Sequence, residues 1–105
     1  MIKVSILYPN KEGSRFDLDY YLDQHMPMTI EKLSGGLRGV TVEHGLTGGS
    51  LEAPPPYIAM CHLLFDSVDA FQSAFAPHAE ALQGDIPNYT DVTPVIQISE
   101  IKLSQ

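Results

Sequence analysis

Apolar and polar positions alternate from Ile2 to Tyr8. Ile2, Val4, Ile6 and Tyr8 fall on one side and Lys3, Ser5 and Leu7 on the other, a period of two that predicts a β-strand. Residues 9–14 form a polar turn containing Gly13. From Asp17 the period lengthens. Leu18, Tyr21, Leu22 and His25 recur at three- and four-residue spacing and predict one helix face, with Asp17 as N-cap and Asp19 supplying negative charge to the first turn. Met26-Pro27 then interrupts the pattern. Pro27 has no N–H and its ring meets the carbonyl of Asp23, so the helix is expected to break or kink just past His25. It resumes through Ile30 and Leu33 and stops at Gly35-Gly36, where glycine would supply a left-handed cap.

Residues 39–46 alternate again, with Val40, Val42, His44 and Leu46 against Thr41, Glu43 and Gly45. Residues 48–56, rich in glycine and proline, predict an exposed loop. Tyr57–Phe65 is a third strand with apolar residues on both sides. Asp66 or Ser67 caps a second helix whose periodic face runs from Val68 through Phe71, Ala74, Phe75 and His78 to Leu82, with Pro77 inside it and Gly84 as its stop. A turn-rich connection at 85–93 leads to a last strand at 94–102, with Ile96 and Ile98 on one face.

The order strand, helix, strand, strand, helix, strand is that of a ferredoxin-like α+β domain, a βαββαβ unit with a four-stranded antiparallel sheet, here spanning residues 1–105. Two helices cover one face of such a sheet. The third strand is apolar on both, with Ile58, Met60, His62 and Leu64 opposite Ala59, Cys61, Leu63 and Phe65. A second copy of the sheet is the expected cover for the other face, which predicts a homodimer.

Charge narrows the functional classes. The net charge is −7 and the six basic residues are scattered, which argues against nucleic acid and against an anionic membrane surface. No stretch approaches the ~20 apolar residues of a membrane span, and the run to Tyr8 lacks the pattern of a signal peptide. A single cysteine, Cys61, forms no internal disulfide, and together these features predict a cytoplasmic protein. No phosphate loop, dinucleotide fingerprint, serine-nucleophile pattern or metal-ligand spacing is present, so neither cofactor nor metal is expected.

The chemical candidate that remains is His25, an imidazole beside a helix irregularity on an apolar face, able to exchange protons near neutral pH. Tyr8, Tyr21, His62 and Tyr89 are the aromatic and polar side chains expected around it, lining a small-molecule pocket between sheet and helices. Structural alternatives stand beside these: His25 as a buried histidine with a backbone partner, Tyr8 as a strand end, His62 as part of a dimer core or bonded to a neighbouring backbone, Tyr89 as a loop anchor.

Several of these segments carry a family resemblance. Phe16, Tyr20, Tyr21, His25, Met26 and Pro27, then Asp85-Ile86-Pro87-Asn88-Tyr89-Thr90-Asp91-Val92 and Pro94-Val95-Ile96-Gln97-Ile98-Ser99, with the first strand Ile2-Lys3-Val4-Ser5-Ile6-Leu7-Tyr8-Pro9, resemble the EthD family, named for ethyl tert-butyl ether degradation. The resemblance implies a dimeric α+β barrel, a fold shared with cofactor-free monooxygenases, polyketide cyclases, lactone isomerases and haem-degrading enzymes. The family histidine matches His25. Members are often labelled reductases, yet no reductant-binding motif occurs here. The expectation is a cofactor-free degradative or tailoring enzyme, oxidoreductase-like or isomerase-like, with His25 as general acid/base on an apolar or aromatic molecule. The rival is a non-catalytic binding protein serving a catabolic oxygenase system. A haem-binding protein is the third class, and a Soret band on haem addition would reveal it.

Overall fold

The computed structural model describes residues 1–105. Four strands, β1 (Ile2–Pro9), β2 (Gly39–His44), β3 (Tyr57–Phe65) and β4 (Val95–Glu100), form one antiparallel sheet in the order β2-β3-β1-β4. This is the ferredoxin-like α+β fold. Parity along the strands decides which residues meet the helices. Val4 lies beside Leu63 and Ile98, Ile6 beside Cys61 and Ile96, and Tyr8 beside Ala59. These face inward, and Val4, Tyr8, Ala59, Cys61, Leu63 and Phe65 are all buried. The outer face stays half-open. There Ile58, Met60, His62 and Leu64 of β3 are each partly exposed. A polar row, Gln97, Ser5, His62 and Thr41, crosses its middle strand by strand.

Strand ends differ slightly from the sequence expectation. β2 stops at His44, although the Gly45 N–H still donates to the Ile58 carbonyl at 2.9 Å, and β4 spans Val95–Glu100 rather than 94–102.

The first helix, α1, covers residues 18–33 and does not break at Pro27. It runs as an α-turn at Leu18–Tyr20, a π-turn at Tyr21–His25 and an α-helix at Met26–Leu33. Met26 keeps helical angles, φ −68° and ψ −41°, and its N–H reaches back five residues to the carbonyl of Tyr21. The widened turn removes the conflict that Pro27 would create in a regular helix. It also resets the buried face. Tyr21, His25, Thr29 and Leu33 are buried at a constant interval of four, which would drift by about 40° per step around a regular α-helix. Leu22, expected on the buried face, is 44% exposed. Asp17 caps the helix, its carboxylate accepting from the Tyr20 N–H.

The expected left-handed glycine at the end of α1 is absent; the only positive φ belongs to Gly13. Ser34 stays helical and the Gly36 and Leu37 N–H groups both return to the Leu33 carbonyl. Gly36 serves packing instead. A Cβ there would lie 3.4 Å from the Ala70 carbonyl oxygen and 3.5 Å from the Ala74 Cβ, at the contact with the second helix.

That helix, α2, covers residues 68–84 as an α-helix at Val68–Phe75, a 3-10 turn at Ala76–His78 and an α-helix at Ala79–Gly84. Ser67 is its N-cap, the hydroxyl accepting from the Ala70 N–H. Phe71, Ala74, Phe75 and Leu82 pack on the core, while Val68 remains 40% exposed. A short 3-10 turn, Ile86–Asn88, then carries the chain to Tyr89, which is fully buried. No helix is long and apolar enough to cross a membrane.

Candidate functional site

The π-turn points His25 down onto the sheet, 7% exposed. Its ring stacks on Tyr21, with centroids 5.4 Å apart, and tilts against Tyr89 at 4.7 Å. Tyr8 comes up from the end of β1 and places its hydroxyl 2.7 Å from that of Tyr89. Phe16 completes the aromatic group, 5.1 Å from Tyr8 and 5.2 Å from Tyr21. Thus His25, Tyr8, Tyr21 and Tyr89, four of the five residues expected at the site, converge on one place. His62 does not join them. It sits on the outer sheet face, where its Nδ1 is 2.8 Å from the Ser5 hydroxyl and its Nε2 3.5 Å from Glu43. On β3 its parity is opposite to that of Cys61 and Leu63, so it cannot reach the helix side.

The decisive partner of His25 is Asp85, at the start of the 85–93 connection. His25 Nδ1–H donates to Asp85 Oδ2 at 2.9 Å. Asp85 also accepts from the Tyr20 hydroxyl at 2.7 Å and from the Asn88 amide at 2.9 Å. Burial alone would raise the Asp85 carboxyl, but the bonds from Asn88, Tyr20 and His25 outweigh it and hold the group below its ordinary value. An ionised carboxylate only accepts, so it fixes the proton on Nδ1 and leaves Nε2 with a lone pair. Burial lowers the His25 pKa below its ordinary value, and the Asp85 bond opposes this only in part. The imidazole is therefore neutral at neutral pH. Burial raises the pKa of Tyr8, Tyr21 and Tyr89, so these hydroxyls keep their protons. Cys61 is pushed up to about 11 by burial and is no thiolate.

His25, Tyr8 and Tyr89 line a cavity of about 260 Å³ between sheet and helices. Val4, Ile6, Leu63, Phe71 and Phe75 supply most of its wall, and Ile96 and Pro94 stand at its β4 side. Ile96 is 59% exposed there, because neither helix extends over β4. No Lys, Arg, Asp or Glu lines the cavity. A wider groove of about 410 Å³, bordered by the charged side chains Lys32, Arg38 and Asp66 and by His78, does not include His25. No group of three His, Cys, Asp or Glu side chains converges to hold a metal ion.

Sequence reasoning missed Asp85, Tyr20 and Asn88 as site residues. Tyr20 and Asp85 stood within the family-like segments, but only the fold shows that they meet across 60 or more residues.

The EthD domain model matches residues 14–93, a span that contains the whole π-turn, Asp85 and Tyr89. The chain belongs to the EthD family. An EthD-like protein from Ralstonia eutropha JMP134 has 46% sequence identity with it and a TM-score of 0.93, over 99% of this chain and 94% of the other. A second EthD family protein, from Bacillus halodurans C-125, is 21% identical with a TM-score of 0.67 over 96% and 98% of the two chains. SnoaB, a cofactor-independent oxygenase from Streptomyces nogalater, shares the fold at 14% identity, with a TM-score of 0.58 over 98% of this chain and 93% of SnoaB. None of the curated proteins matches in sequence. The EthD chain thus shares its α+β fold with a cofactor-independent oxygenase.

Proposed function

We propose that this EthD protein is a cytoplasmic homodimeric enzyme that takes an apolar or aromatic organic molecule between sheet and helices and acts on it without a cofactor. His25 is its general acid/base. One observation carries the reading: a buried, neutral imidazole whose Nδ1–H is held by Asp85 faces an apolar cavity with a free Nε2. A base of this kind accepts a proton from a substrate O–H or C–H and returns it at another atom. The Tyr8 and Tyr89 hydroxyls, kept protonated by burial and bonded to each other, leave one O–H to donate to a developing oxyanion. A degradative or tailoring step begun by deprotonation fits this inventory, whether oxygen addition or isomerisation follows. Tyr21 packs beneath His25 as a platform.

The homodimer rests on the outer face, where Leu7, Ile58, Met60, Leu64 and Val95 remain partly or largely exposed around the Ser5–His62 pair. In this reading His62 belongs to the subunit contact rather than to substrate. Sedimentation at micromolar concentration is expected to give twice the 11.6 kDa chain mass; a monomer alone defeats the dimer. For the enzyme, the test is turnover of a panel of small aromatic and alicyclic compounds by the purified protein. Consumption that disappears in His25→Gln supports it. Tight binding with no turnover of any compound assigns the protein to carriage instead.

A further inference from the structure

Resting on that reading of the cavity, we infer that its ligand is a neutral molecule presenting one weakly acidic hydroxyl, phenolic or enolic, on an apolar body, and that carboxylates are refused. This follows from the donors and acceptors among the buried lining residues; the Thr29 hydroxyl is spent on the His25 carbonyl at 2.9 Å, and the remaining polar lining residue, Gln83, is exposed. Asp85 holds the Nδ1 proton, so His25 offers the cavity only an acceptor. The Tyr8 and Tyr89 hydroxyls share one hydrogen bond at 2.7 Å, which uses one of their two protons and leaves the other to donate. The His25 and Tyr89 rings are neighbours, with centroids 4.7 Å apart, and both line the cavity together with Tyr8. A single ligand hydroxyl satisfies both: its O–H donates to Nε2, and its oxygen accepts from the tyrosine. An ether lacks the proton for His25. A ketone satisfies only the tyrosine.

Electrostatics makes the exclusion. No cation lines the cavity, and a full negative charge, the Asp85 carboxylate, stands behind the imidazole. A carboxylate ligand would bury its charge against an acceptor nitrogen with no counter-ion, which is costly. The neutral hydroxyl enters uncharged and ionises in place. Its O–H bond breaks, the Nε2–H bond forms, and the electron pair stays on the ligand oxygen. The imidazolium is then flanked by Asp85 and by the new oxyanion, which the tyrosine O–H holds.

Three matched probes test this at pH 7: 4-chlorophenol, 4-chloroanisole and 4-chlorobenzoate, each titrated calorimetrically. The phenol is expected to bind at least tenfold more tightly than the anisole, and the benzoate not measurably. The preference should fall to about twofold in His25→Phe, which keeps a ring on Tyr21. Independently of any variant, protein with 15N-labelled histidine should show the His25 Nε2 signal move upfield on addition of the phenol and not of the anisole. Equal binding of phenol and anisole with no Nε2 shift, or tight binding of the benzoate, overturns the inference and leaves the apolar cavity standing. Failure of both phenol and anisole to bind removes the cavity reading itself.

Discussion

Each helix carries a proline in its middle with a histidine close by: His25 two residues before Pro27 in α1, His78 one residue after Pro77 in α2. The local sequence is similar and the outcome opposite. In α1 the turn widens. The Met26 N–H reaches five residues back, and His25 stays in helical conformation on the buried face. In α2 the turn tightens to 3-10, and His78 is pushed to φ −117° and ψ 4°, half-exposed, without a side-chain capping bond. The acidic neighbours diverge as well. Asp85 is nearly buried and accepts three hydrogen bonds. Asp66, beside α2, pairs with Arg38 in the open, where the two side chains are 57% and 51% exposed. A histidine near a helical proline therefore acquires chemistry from the width of the turn and from the carboxylate behind it, not from its neighbours in sequence.

The sharpest way to break this comparison is to exchange the two histidines for glutamine. His25→Gln is expected to slow any turnover by a factor on the order of 10² or more, since proton transfer is lost. His78→Gln should leave the rate within a factor of two. Steady-state kinetics on both folded variants decides it, and equal losses would dissolve the distinction.

The carboxylates come next. Asp85→Asn weakens charge-assisted bonds in a nearly buried place and should cost about 1–2 kcal/mol in urea unfolding. Asp66→Asn breaks an exposed pair and should cost no more than about 0.5 kcal/mol.

Acid distinguishes the histidines more finely. The folded pKa of His25 lies below its ordinary 6.5, so the unfolded chain takes up the proton first as pH falls. Stability is then complete above about 6.5 and declines as pH drops from there to the folded value. The melting temperature should fall in this window for the wild type and for His78→Gln, and less steeply for His25→Gln. Asp85, also lowered, adds its own loss only at still lower pH. Parallel curves for wild type and His25→Gln would show that His25 is not held neutral.

The smallest effect concerns Pro27. In a regular helix, replacing an interior proline by alanine recovers up to about 3 kcal/mol. Because the π-turn already accommodates the ring, Pro27→Ala should change stability by less than about 1 kcal/mol. A large gain would mean that the turn is strained.

Much of this architecture is readable from period alone. The alternation of Ile2, Val4, Ile6 and Tyr8, the doubly apolar Tyr57–Phe65 and the caps Asp17 and Ser67 locate strands and helices to within a residue or two. His25, Tyr8, Tyr21 and Tyr89 were legible as a group because each marks an apolar segment with one polar tip. The π-turn was not, since proline signals an interruption without saying whether the helix breaks or widens. Asp85 was not, because its pairing with His25 spans 60 residues and depends on how β4 and its connection return to β1. His62 was misplaced by proximity of type; strand parity assigns it to the outer face.

The connection that supplies Asp85 and Tyr89 is stitched to the entry of α1. Phe16 bridges Thr90, the Asp17 N–H donates to the Tyr89 carbonyl at 2.7 Å, and the Thr90 hydroxyl donates to the Arg15 carbonyl at 2.7 Å. This seam joins segments some seventy-five residues apart, the Thr90–Arg15 separation being 75. Closing so long a loop is entropically slow, and its reward arrives only when both ends are present. During synthesis β1, α1 and β3 leave the ribosome well before residue 85, so a nascent chain holds His25 without its carboxylate. The cavity is then among the last features to mature. A ligand that fits it would act as a reporter of that docking, selecting chains in which residues 85–96 have been made and seated.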